Sequence, residues 1–120
     1  MNALAALIAR KDAGDGLWAT RRYEAGEVVL QFAEVEWRSQ RDRDTVEHAL
    51  GVHMFNPALA KVAHSCDPNC ELWAAQRVLV ALRPIAVGEA ISFDYETTET
   101  WFAHPFWCCC GARRCRGRIG

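Results

Sequence analysis

The 120-residue sequence has no long apolar run, no surplus of charge of either sign, no internal repeat and no low-complexity tract. Each absence excludes something. The apolar stretch at residues 3–9 is far shorter than the ~20 residues needed to span a bilayer. Its charges, Arg10 and Lys11, follow it, whereas a secretory leader carries them in front. Fourteen basic residues against fifteen acidic ones leave a net charge of −1, so no global field draws the chain to nucleic acid or to a membrane surface. Six cysteines are too few for a disulfide scaffold in a chain of this length. A reducing intracellular setting, cytoplasmic or nuclear, suits them as free or metal-bound thiols. The expectation is a soluble single domain whose hydrophobic fraction of 51% is ample for a core.

The apolar pattern is short and mostly extended. Residues 28–32, 72–75, 78–82 and 91–95 read as strands, separated by turns at glycine and proline. This predicts a β-rich, nearly all-β fold with little helix. Residues 3–10 read equally as a helical turn or a buried strand. Residues 44–49 read as one or two helical turns capped by Asp44 or Thr45. Residues 12–16, with Gly14 and Gly16, must form a turn. Gly14-x-Gly16-x-x-Ala19 also fits a dinucleotide-binding fingerprint, but only residues 20–25 separate it from Gly26 and the next strand. That leaves no room for the crossover helix of a parallel βαβ unit.

The chemistry gathers toward the C-terminal end. Cys108, Cys110 and Cys115 have the spacing C-x-C-x4-C, short enough for one loop to present three thiolates to a single ion. A structural zinc takes four such ligands in a tetrahedron. Of the remaining cysteines, Cys66 is the candidate fourth ligand, Cys70 reads as a core thiol, and Cys109 as a neighbour turned away from the metal. Arg113, Arg114, Arg116 and Arg118 read as a solvated loop offsetting the formal charge of a zinc tetrathiolate, with nucleic-acid contact the lesser reading. His64 is open among a zinc ligand, a general base and a core histidine. Between residues 89 and 99 four acids, Glu89, Asp94, Glu96 and Glu99, stand without a base. By default that is a solvated face; the functional reading is an acidic rim for a basic peptide.

Three motifs precede the cysteine loop. Residues 14–19 read GDGLWA, residues 63–69 AHSCDPN and residues 89–95 EAISFDY, followed from Cys108 by CxCGxxxCxG. Together, over residues 14–117, they resemble a SET-domain protein lysine methyltransferase with a post-SET zinc segment. The resemblance implies several small antiparallel sheets around a threaded, pseudoknot-like C-terminal segment. It divides the chain into a SET domain at residues 1–105 and a post-SET zinc-binding segment at residues 106–120. It implies S-adenosylmethionine as methyl donor, held by Gly14, Gly16, Leu17, Trp18, His64, Tyr95 and Trp107, with Phe106 beside Trp107 over the adenine and the channel mouth. One structural zinc would sit on Cys66, Cys108, Cys110 and Cys115.

Tyr95 is the expected catalytic residue, and Phe93 and Phe32 are expected to line the lysine channel. The substrate is then a lysine of a basic protein, a histone by family habit. Phenylalanine at residue 93 implies di- or trimethylation, because it cannot hold the water that would fill a second methyl's place. Two departures favour the alternative, a catalytically weak or inactive binding module: Ala63 stands where the family has asparagine, and Phe32 where relatives have tyrosine. The short insert before the AHSC motif leaves the channel short of a wall. A second copy of the chain would supply it, so a homodimer is one expectation.

Overall fold

The computed structural model describes residues 7–8, 16–41, 45–49, 51–99 and 102–120. Among them lie twelve short strands: β1 (Leu7–Ile8), β2 (Trp18–Ala19), β3 (Val28–Gln31), β4 (Glu36–Arg38), β5 (Val46–Ala49), β6 (Val52–Phe55), β7 (Ala63–His64), β8 (Cys70–Trp73), β9 (Val78–Ala81), β10 (Ser92–Phe93), β11 (Phe106–Trp107) and β12 (Arg118–Ile119). Two single-turn 3-10 helices, Leu59–Lys61 and Tyr95–Thr97, complete the regular structure of those residues. No helix among them is long and apolar enough to cross a membrane.

The sheets are small, as the short apolar runs require. One holds β3, β9 and β8 in that order, all antiparallel. Its central strand β9 is buried at all four positions, which its unbroken Val-Leu-Val-Ala run permits. The edge strand β8 alternates instead, burying Cys70 and Leu72 and exposing Glu71 and Trp73. The core spreads from this sheet through Val29, Leu30, Leu79, Ile85, Ile91 and Phe93. A second antiparallel sheet orders β4, β6 and β5. Its strand β5 replaces the helical turn expected at residues 44–49. Val46 and Glu47 pair with Met54 and His53 of β6, and Gly51, at φ +74°, makes the left-handed turn between the two strands without a Cβ penalty. Buried Thr45 and Val46 are β-branched and prefer that extended backbone.

Three two-stranded pairs surround the three-stranded sheets. β1 lies antiparallel to β2. β7 pairs with β10, Ala63 opposite Ser92 and His64 opposite Phe93. This pair is parallel, the exception to the antiparallel arrangement expected. The strand expected over residues 91–95 stops at Phe93. Asp94 accepts the backbone N–H of Glu96 at 3.0 Å and so caps the 3-10 turn that Tyr95 begins. Finally β11 and β12 form an antiparallel pair, with Phe106 opposite Ile119 and Trp107 opposite Arg118. The cysteine loop hangs between them, and Ile119 is fully buried, which contributes roughly 1.5–3 kcal/mol toward holding the tail to the body.

Candidate functional site

The site begins with backbone ties. Ile91 N–H donates to Leu17 C=O (3.0 Å), Ala19 N–H to Glu89 C=O (2.9 Å) and Gly88 N–H to Ala19 C=O (2.8 Å), fixing residues 16–19 along the segment before β10. Buried Asn69 knits the same region from the other side. Its Nδ2 donates to Glu89 (2.9 Å) and to Ala90 C=O (2.8 Å), and its Oδ1 accepts Ser92 N–H (2.9 Å). Between these segments, β7 and the tail opens a cleft of about 800 Å³, within the usual range for a cofactor-sized ligand. Gly16, Leu17, Trp18, His64, Tyr95 and Trp107 all line it. Gly14 lies outside the described residues. Trp107 is 77% exposed, so most of its indole is free to cover a ligand. Ala63 faces the same cleft and brings no side-chain hydrogen bond to it.

His64 and Tyr95 meet at the inner wall. Tyr95 N–H donates to His64 Nδ1 at 3.0 Å. The ring accepts there, so its proton sits on Nε2, 3.5 Å from Cys66 Sγ. Burial holds the His64 pKa below its ordinary 6.5, with Asp94, 3.7 Å away, opposing. The Tyr95 hydroxyl donates to Val62 C=O at 2.5 Å. Its ring packs against Phe93 (centroids 4.9 Å apart), His64 (5.1 Å) and Phe106 (6.0 Å).

Tyr95 also lines a second cavity, a narrow slot of about 30 Å³ bounded by Val46, Leu59, Phe93, Thr98 and Glu99 among others. It is the one described residue common to both cavities. The slot's walls come partly from β5 and the Leu59–Lys61 turn of this same chain, at the place where a second copy is the sequence-based expectation. Phe93 reaches the slot. Phe32 does not: it is 3% exposed and packs in the core behind.

The cysteine expectation is met in geometry. The Sγ atoms of Cys66, Cys108, Cys110 and Cys115 lie within 4.8 Å of one another, and Cys66 and Cys108 are 3.9 Å apart. A tetrahedral ion with bonds of about 2.3 Å sets its sulfurs about 3.8 Å apart, so the four fit one ion. Gly111 and Gly117, both at φ +79°, make the left-handed bends of the loop. Cys108 N–H closes it on Gly117 C=O. Backbone hydrogen bonds, first from Cys66, bring the Cys110 thiol down to about 6, so one ligand is ready to ionise. Burial drives Cys108 up to about 12, a cost that a cation would remove. Cys70 is buried at 1% exposure in the core and Cys109 is exposed.

The acids between residues 89 and 99 do not form a free rim. Glu89 is held by Asn69. Asp94 and Glu96 take Arg116 at 2.7 and 3.1 Å. Glu99 is buried, with its side chain 9% exposed. Arg114 reaches Asp67 at 2.9 Å. Two of the four tail arginines therefore clamp the tail to the loops that carry Cys66 and Tyr95. Sequence alone does not reveal this clamp, nor the pairing of Arg41 with Glu47 and Glu99. The only signal for either is opposite charge, with no spacing to match the partners.

Comparison with known proteins agrees with this geometry. Residues 14–96 match the SET domain family. Histone-lysine N-methyltransferase trithorax of Drosophila virilis is 31% identical over 126 residues, spanning 86% of this chain and 3% of that protein. Human histone-lysine N-methyltransferase 2B is 29% identical, with 86% and 5% covered. The chain thus spans a small fraction of the length of these curated relatives. Among solved structures, KRYPTONITE in complex with mCHH DNA, H3(1-15) peptide and SAH superposes with a TM-score of 0.66 at 19% identity, over 93% of this chain and 28% of that one. It is a likeness of fold.

Proposed function

The chain belongs to the SET-domain family, and on that premise we propose that it is an S-adenosylmethionine-dependent protein-lysine N-methyltransferase acting on a basic protein, a histone in the first instance. The observation that carries the reading is Tyr95 standing between two cavities. A wide cleft with glycine, histidine and indole walls suits a nucleoside-bearing cofactor. A slot with apolar sides suits the methylene stem of a lysine. The cofactor, when bound, supplies an electrophilic methyl carbon on a sulfonium.

The rest is work for this chain's own groups. Gly16, Leu17, Trp18, His64 and Trp107 hold the cofactor in the cleft. The Tyr95 hydroxyl donates its one hydrogen bond to Val62 C=O, so toward the slot its oxygen accepts: it takes an N–H of the amine and turns the nitrogen lone pair toward the cleft. A free lysine has a pKa of about 10.4 and must lose a proton first. Positive charge in the cleft beside the amine then disfavours the ammonium, and its proton passes to water. The rings of Phe93, Tyr95 and Phe106 lower the cost of positive charge on the transferring methyl. Alignment of the two partners supplies most of the acceleration. Cys66, Cys108, Cys110 and Cys115 hold one zinc, a structural ion that builds the 106–120 wall of the cleft as a post-SET unit. Phe93 leaves room for a second or third methyl group.

Incubation with labelled S-adenosylmethionine and purified core histones tests the reading. Label should appear on lysine. A folded, zinc-loaded protein that transfers nothing would instead be the binding module that Ala63 argues for.

A further inference from the structure

Resting on that reading of the slot, we infer that Glu99 is a specificity-determining residue, a buried carboxylate that selects a cationic side chain for entry beside Tyr95. Among the described residues lining the slot it is the one with a formal charge. The other walls are apolar, at Val46, Leu59, Ala60 and Phe93, or bear hydroxyls. A lysine side chain has this same division, a methylene stem and a cationic tip.

The carboxylate is held in place and yet has capacity left. Its Oε2 accepts Glu47 N–H at 2.8 Å and the Thr98 hydroxyl at 3.1 Å. Glu99 N–H donates to Tyr95 C=O at 3.3 Å, so the residue sits one turn from the tyrosine. Among the described residues its Oε1 meets Arg41 alone, at 3.8 Å, beyond hydrogen-bond range, and Arg41 makes its closer contact of 2.9 Å with Glu47. A carboxylate offers about four lone-pair sites, and two of Glu99's are filled. The side chains of Arg41, Glu47 and Glu99 are only 5%, 7% and 9% exposed, so a cation that meets Glu99 does so with little water to screen it. Burial pushes the Glu99 pKa up, and an ammonium in the slot would pull it back.

The test uses a probe of the slot that needs no turnover. n-Butylammonium and n-butanol are titrated against the full chain, loaded with zinc, and followed by NMR at Phe93 and Tyr95. The wild type should take the cation at a concentration at least about tenfold lower than the alcohol. Glu99→Gln should level the two, and Glu99→Asp should keep part of the preference. Glu71→Gln removes a carboxylate from the exposed face of β8, away from the slot, and should leave the preference standing. No preference in the wild type, a preference surviving in Glu99→Gln, or its equal loss in Glu71→Gln would overturn the inference. In the wild type itself, the probe methylenes should give nuclear Overhauser contacts to Phe93 and Glu99. Contacts only elsewhere would overturn the assignment whatever the variants do. If the preference holds while core histones receive no methyl, the enzymatic reading fails and the role of Glu99 as a cation selector stands.

Discussion

At the scale of single residues, Tyr95 has two jobs that one substitution separates. Its ring packs among Phe93, His64 and Phe106, and its hydroxyl meets Val62 C=O. Tyr95→Phe keeps the packing and loses the oxygen. Stability should fall by about 1 kcal/mol, read from denaturant unfolding, while turnover on core histones should fall by about 10²-fold or more. Phe93→Tyr adds a hydroxyl to the slot wall. Mass spectrometry of long incubations should then show product stopping at monomethyl-lysine, with the first transfer nearly unchanged, where the wild type proceeds to two or three methyls.

Asp94 gives a prediction in pH. Burial works to raise its pKa, but Arg116 and the Glu96 N–H outweigh it and hold the carboxyl below its ordinary 3.8. A depressed carboxylate adds stability that is complete above the unfolded-state value and is lost as pH falls through the folded-state value. The stability gap between wild type and Asp94→Asn should therefore be flat from about pH 5 upward, at up to about 1 kcal/mol for a partly exposed pair, and should close in stronger acid. Both proteins are compared free of metal, so that zinc loss in acid does not enter the difference.

At the scale of elements, the tail is a hairpin whose two strands are two residues each, too short to persist alone. The buried Ile119, the Arg114 and Arg116 pairs and the thiol cluster hold it in place. Metal analysis should find one zinc per chain. Cys115→Ser, or a chelator, should free the hairpin and change the emission of the tail's exposed Trp107. Cofactor affinity should fall with it, because Trp107 and residues 108–112 are one wall of the cleft. Unchanged fluorescence and affinity after complete removal of metal would count against a structural ion.

The same elements show what is legible in the sequence. The strand-rich pattern, the turns and the three cysteines of the tail loop can be read directly, because apolar periodicity and ligand spacing are local signals; Cys66, 42 residues before Cys108, is a candidate with no spacing to mark it. β5 reads as a helical turn in isolation, since its pairing with β6 depends on a partner strand and a glycine turn rather than on its own period. Phe32 is expected in the channel on resemblance alone, and it packs in the core. The fates of Glu89, Asp94, Glu96 and Glu99 cannot be read at all. Whether an acid in a run faces water or a buried arginine is decided by the fold, and nothing in the run itself encodes the choice.

At the scale of the whole molecule, most pairings join segments distant in sequence. β3 waits for β9, β7 for β10, and β2 is anchored to the segment before β10. Among the described residues, β5–β6 and β8–β9 close over short turns, and β11–β12 over the cysteine loop. Folds built on distant pairings are slow to form, and here the order of assembly is set by the wiring. Cys66 stands 42 residues before Cys108, so no complete ligand set exists until the central sheet has brought the two ends together. A metal held by these four thiols would therefore enter last, as a latch on a body already built. In refolding experiments the early phases should be indifferent to zinc, and only the final phase, the docking seen by Trp107, should quicken as zinc is raised. A chain emerging from the ribosome would meet the same sequence of events, with its cofactor cleft unfinished until the last cysteine has cleared the exit.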